Sequence, residues 1–273
     1  MQNKRITFYL GSTGLPTWLI KGIHQQVKPF VGSVNLIKVQ SLQQVDVKDY
    51  LSAMTLAFHP FELCQLVLTG ENAEQYQSQL INFLQTDCFV IETPATNAST
   101  TSNNSLFQIQ CFDIEKELNN FTKLYTALFF KQKDTEPKDQ LIQKQYCLKR
   151  LSQLTQNQDS QAIEEALKKR EALSSTAMAN GIALPHLLNA AIDKPQLIIL
   201  TTNTPLDWGS NFPPVTHIIA VMLPIDASKP TLLAVRHLAT ALVNSDINQF
   251  ICQHKHHSEL QAIITCFLKL DKF

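Results

Sequence analysis

Along the first ninety residues, large apolar side chains recur with two spacings. Alternating runs at RITFYL (5–10) and SVNLIKVQ (33–40), with the shorter QQVDV (43–47) and LCQLVLT (63–69), predict strands. Between them, helical spacing predicts a helix from Pro16 to about Pro29, a second over 48–58, and a third over 71–84, where Tyr76, Leu80 and Leu84 repeat at i, i+4 and i+8. Pro16 suits a first helical turn because its missing N–H has no partner there. The order β-α-β-β-α-β-α with short connections predicts an α+β module, an antiparallel sheet covered on one side by helices.

The pattern breaks at TPATNASTTSNNS (93–105), where large apolar residues vanish. Such a stretch buries too little surface to offset its ordering entropy and reads as a linker. Beyond it, helices are predicted at 112–130, 138–155, from Asp159 or Ser160 to about Leu173, at 231–244 and at 258–270. QLIILTT (196–202) and HIIAVMLP (217–224) are continuous apolar runs, as expected of strands covered on both faces. The expected organisation is a module over 1–92, a linker or connector over 93–120, and an α/β sandwich with a mixed sheet flanked by helices over 121–273.

Composition narrows the chemistry. Only 7 glycines occur, and none forms GxGxxG or GxxxxGK[ST], so backbone loops that wrap a nucleotide phosphate are excluded. With 23 Lys+Arg against 23 Asp+Glu, the chain lacks the basic field of a sequence-independent nucleic-acid binder. The 6 cysteines include no CxxC pair, and the N-terminus shows no signal-peptide core, so reduced thiols in a cytoplasmic protein are expected.

The segment REALSSTAMANGIALPH (170–186) carries most information. Arg170 falls on the same helical stripe as Ile163, Ala166 and Leu167, and an inward guanidinium must meet an anion, either a carboxylate such as Glu164 or a phosphate oxygen. Pro185 fixes the backbone before His186, and neutral imidazole is a competent nucleophile toward phosphorus. On the 231–244 helix the apolar stripe predicted through Val235, Leu238, Ala239 and Leu242 leaves Arg236, His237 and Thr240 on the opposite side. His237 is then either solvated or a donor to an oxyanion in a cleft. His254, His256 and His257 lack the spacing of a metal site and are expected in a solvated turn.

These residues, with LDWG (206–209) and the helix entry at His237-Leu238, resemble the enzyme IIA domain of the fructose/mannitol type in the bacterial phosphoenolpyruvate-dependent sugar phosphotransferase system. The resemblance implies that His186 is phosphorylated, that His237 is a second active-site histidine and that Arg170 sits at the phosphate. It implies HPr or an HPr-like phosphodonor and the IIB domain of a permease as partners, a membrane association only through that permease, and neither cofactor nor metal. The signature is shared by fructose, mannitol and nitrogen-regulatory branches. Arg236 stands where the family usually has an acidic residue. Residues 1–92 in turn resemble HPr itself, through Gly14-Leu15, the Thr55-Leu56 region and Thr69-Gly70-Glu71, but Pro16 replaces the phosphorylatable histidine, Trp18 the arginine two positions on, and Asp49 stands at the regulatory serine's place. Two functions follow: a phosphocarrier, expected in the fructose branch, or a non-catalytic regulatory protein that uses the inert module as a partner mimic.

Overall fold

A computed structural model describes residues 2–91, 100–103, 106–129 and 139–269, and divides the chain into two compact units, Met1–Thr93 and Pro94–Phe273. The first unit runs β1 (Gln2–Tyr9), α1 (Thr17–Val27), β2 (Gly32–Lys38), β3 (Gln43–Asp46), α2 (Tyr50–Thr55), β4 (Leu63–Gly70), α3 (Ala73–Leu84) and β5 (Phe89–Val90). Its antiparallel sheet has the order β3-β2-β4-β1-β5. Every second residue points to one face: Ile6, Phe8, Val34, Leu36, Cys64, Leu66 and Leu68 are buried there against Leu19, Ile23 and Val27 of α1 and Leu80 and Leu84 of α3. The order expected from the sequence is reproduced, with β5 added. The 48–58 helix shortens to six residues, because Asp49 caps its start by accepting from the Ser52 amide and Leu56 is already extended.

The second unit runs β6 (Thr100–Asn103), β7 (Gln108–Asp113), α4 (Glu115–Phe129), α5 (Asp139–Leu154), α6 (Ser160–Leu173), β8 (Ile182–Ala183), β9 (His186–Leu188), β10 (Gln196–Leu206), β11 (Val215–Leu223), α7 (Lys229–Val243), α8 (Ser245–Cys252) and α9 (His257–Leu268). The sheet order is β6-β7-β10-β11-β8, with β9 also on β11. It is mixed: β7 lies parallel to β10, β10 antiparallel to β11, and β8 and β9 parallel to β11. Ile198, Leu200, Ile218, Ala220 and Met222 bury one face beneath Leu118, Cys147, Leu151, Ile163 and Leu167 of α4 to α6. The alternate residues Leu197, Ile199, Ile219 and Val221 are buried as well, so both faces are covered, as the apolar runs predicted.

Residues expected in the connector contribute to this sheet. Gln108–Asp113 is an inner strand between β6 and β10, with Ile109 and Cys111 buried, and Thr100–Asn103 pairs with it. Six residues with three apolar positions, two of them adjacent, carry too little alternation to stand out beside the helical run that follows; the pairing partner β10 makes them a strand. The remainder of the polar tract, 93–99 and 104–105, lies outside the described residues. The histidine turn also differs from expectation. His254 and His257 are buried and only His256 is exposed, because His254 Nδ1 bonds the Phe250 carbonyl and its own carbonyl meets His217 Nε2 at 2.8 Å.

Candidate functional site

The site is assembled where α6 ends and β9 begins. α6 starts on Asp159, whose side chain accepts from the amides of Gln161 and Ala162, and it buries Ile163, Leu167 and Glu171. The inward stripe at i, i+4 and i+8 therefore ends on Glu171, and Arg170, one position earlier, is half-buried at its edge. The chain then extends at Ser174 (φ −164°, ψ 134°) and returns through Asn180 (φ 57°) and Gly181 (φ 88°), a left-handed pair that only Asn and Gly adopt at small cost. Leu184-Pro185 interrupts the edge between β8 and β9, so His186 opens β9 rather than ending a strand; the Pro185 carbonyl still accepts from the Val221 amide at 2.8 Å.

His186 is half-buried and fixed at both ring nitrogens. Nδ1 lies 3.0 Å from the Leu184 carbonyl, which only accepts, so Nδ1 carries the proton. Nε2 then holds the lone pair, and Arg170 donates to it from Nε at 3.2 Å and from one terminal nitrogen at 3.1 Å. The other terminal nitrogen donates to the Ser174 carbonyl at 3.0 Å. No carboxylate pairs with Arg170 among the described residues, and Glu164, a partner considered from sequence, pairs with Lys168 instead. A charged fork thus straddles a nucleophilic nitrogen, its charge uncompensated by any carboxylate among the described residues.

Behind the fork lies a buried polar network. Glu171 accepts from the Thr176 amide at 2.9 Å and its hydroxyl at 2.6 Å, closing the turn that carries Ser174. Trp208 Nε1 donates to Thr176 Oγ1 at 3.1 Å. Lys144, from α5, reaches Glu171 at 2.9 Å and the Trp208 carbonyl at 2.6 Å. Lys144 was not legible as part of the site, because a lysine in an amphipathic helix carries no local mark of its partner.

The third sequence candidate, His237, is not bonded to this pair among the described residues. α7 buries Thr231, Ala234, Leu238 and Leu242, which leaves Arg236 and Thr240 exposed opposite and His237 half-buried on the flank, not on the far side. Among the described residues His237 makes no hydrogen bond or ion pair to His186 or Arg170.

In the first unit, Pro16 is the N-cap of α1 with extended backbone, outside the helical residues themselves, and Trp18 is 53% exposed. His24, the one histidine of that helix, is engaged elsewhere: its Nδ1 meets the Val47 carbonyl at 3.0 Å and its ring leans on Tyr50.

Several known proteins match parts of this chain. A nitrogen regulatory protein of Pseudomonas aeruginosa is 32% identical over 90 residues, covering 33% of this chain and 58% of that protein. The fructose-specific EIIABC component of a Bacillus subtilis phosphotransferase system is 27% identical over 107 residues, 39% of this chain and 17% of that one. Among solved structures, the phosphocarrier protein HPr of Bacillus anthracis aligns with 30% of this chain and 98% of its own at 17% identity, with a TM-score of 0.27. The fructose/mannitol type named from the sequence is thus not singled out: relatives of nitrogen-regulatory and fructose-specific name both match. The model of the phosphoenolpyruvate-dependent sugar phosphotransferase system EIIA 2 family matches residues 124–266, just over half of the 273-residue chain and the whole stretch that holds Arg170, His186 and Trp208, and the chain belongs to that family.

Proposed function

We propose that the chain is a phosphocarrier of the sugar phosphotransferase system, working in the cytoplasm, in which His186 is the phosphorylated residue. The observation that carries this is the Arg170 fork on Nε2 of His186, with no carboxylate of its own among the described residues. In the reaction, the Nε2 lone pair attacks phosphorus in line, a P–N bond forms, and the bond to the donor's histidine breaks with its electron pair returning to the donor nitrogen. Nδ1 keeps its proton on the Leu184 carbonyl throughout. The phosphoryl oxygens arrive where the guanidinium already points, so charge is met by a prepositioned donor pair. His237, on the partly open flank of α7, is proposed as a second contact to the phosphoryl group. The donor is proposed to be a separate phospho-HPr-type protein and the acceptor a IIB domain, in the fructose branch. Incubation with phosphoenolpyruvate, enzyme I and active HPr should place one phosphate on His186, located by mass spectrometry; equal labelling of His186→Ala would overturn the assignment.

A second reading, a regulatory output, draws on the first unit and on the nitrogen-regulatory name of the P. aeruginosa relative. With Pro16, Trp18 and Asp49 the first unit keeps the HPr-like order of elements without a histidine at the helix start, which suits a module that docks partners. Removal of residues 1–92 should then alter partner affinity or the rate of His186 labelling; unchanged values would exclude it.

A further inference from the structure

The unusual property of the site is an arginine that stays free of carboxylates although a buried carboxylate is its neighbour in sequence. Glu171 follows Arg170 directly, its side chain is only 4% exposed, and its oxygens receive two donors from Thr176. A buried anion requires a cation, and without one it recruits whichever lies nearest. Lys144 meets that requirement from α5, with its ammonium at 2.9 Å from Glu171 and anchored on the Trp208 carbonyl, above the indole ring.

We propose that Lys144 is a positioning residue of the phosphoryl site: by occupying the Glu171 carboxylate it keeps the Arg170 fork on His186 Nε2. Glu171 is needed to close the Ser174–Thr176 turn, whose Ser174 carbonyl holds the remaining Arg170 nitrogen, so the carboxylate cannot simply be dispensed with. An arginine paired with Glu171 would have its charge neutralised and its fork turned away from the phosphoryl oxygens. The lysine separates the two functions, one cation for the turn and another for the phosphate. The inference rests on the phosphocarrier reading for its purpose, but not for its geometry.

The test therefore has one arm that needs no phosphodonor. In the full chain labelled with 15N, the Arg170 Nε–H resonance and its through-hydrogen-bond coupling to His186 Nε2 report the fork directly. Lys144→Met should abolish that coupling and slow phosphoryl uptake at least tenfold. Lys144→Met/Glu171→Gln should restore both, because the competing anion is gone, and Lys144→Arg should resemble the parent. If Lys144→Met does not fold, Lys144→Gln serves with the same expectation. The proposal is overturned if Lys144→Met or Lys144→Gln retains the coupling, or if removing the Glu171 charge fails to bring it back in a folded protein. Coupling that responds as expected in a chain that never accepts phosphate would leave the Lys144 role standing and refute the phosphocarrier reading alone.

Discussion

Replacing Thr176 by valine preserves shape but removes one oxygen from the centre of the buried network. That oxygen donates to Glu171 at 2.6 Å and accepts from Trp208 at 3.1 Å. Losing a hydrogen bond to a charged group costs about 1.5–3 kcal/mol, and leaving a buried indole N–H without an acceptor costs a further 1–3 kcal/mol or so. The added methyl returns roughly 0.8 kcal/mol of apolar burial. The Thr176 amide still reaches Glu171, so the turn is weakened rather than abolished. A net loss of about 3 kcal/mol follows, equivalent to roughly 6–12 °C in the unfolding midpoint of a unit of this size. The chain has 2 tryptophans, so in a Trp18→Phe background urea unfolding followed by Trp208 emission reports the second unit alone. Thr176→Ser keeps the hydroxyl and should lose only about 1 kcal/mol, the price of a methyl. A valine variant within about 1 kcal/mol of the parent, or a serine variant as damaged as valine, would refute the role assigned to the hydroxyl.

Four further outcomes are expected. Arg170→Lys replaces a fork by a point charge and should slow His186 labelling roughly 100-fold while moving stability by less than about 0.5 kcal/mol, read by radiolabel uptake and urea titration. Burial pushes the Glu115 carboxyl up, but donors from Thr202, Thr204 and Asn203 outweigh it and hold it near about 2, below the ordinary 4.5. Its contribution is present in full above pH 4.5 and lost as pH falls through about 2, so the stability gap between parent and Glu115→Gln should narrow across that window. Burial, with Lys255 adding to it against the His254 carbonyl, lowers His217 below its ordinary 6.5; the unfolded chain then takes up the proton first, and stability should begin to fall as pH drops below 6.5, less steeply in His217→Gln. Gly70→Ala places a methyl 2.2 Å from the Val31 carbonyl where β2 meets β4, and should destabilise the first unit by about 2 kcal/mol or more in a thermal melt.

Much of the site was readable before any coordinates, and for particular reasons. Arg170 and His186 lie within one seventeen-residue segment whose chemistry is local, a cation on an amphipathic helix followed by a Pro-fixed imidazole. The stripe expected to carry Arg170 was displaced by one position: the buried member is Glu171, because Lys144 from another helix compensates it. Helical spacing specifies a face to within about a residue, and only the neighbouring helix decides which charge goes in. His237 was placed opposite the core for the same reason; α7 packs against α8 and α9 with Leu238 and Leu242 buried, and His237 is half-buried beside that face.

The sequence by itself determined the division into two units, the strand and helix order over residues 5–84 and the absence of a glycine loop for nucleotides. These follow from periodicity and composition, which are local and additive. Tertiary structure alone decided that Gln108–Asp113 is an inner strand, that His254 and His257 are buried, which imidazole nitrogen is free, and that Lys144 stands behind Arg170. Each of those depends on a partner tens of residues away in the chain, or on a backbone turn of unusual geometry, and neither leaves a periodic trace in the chain.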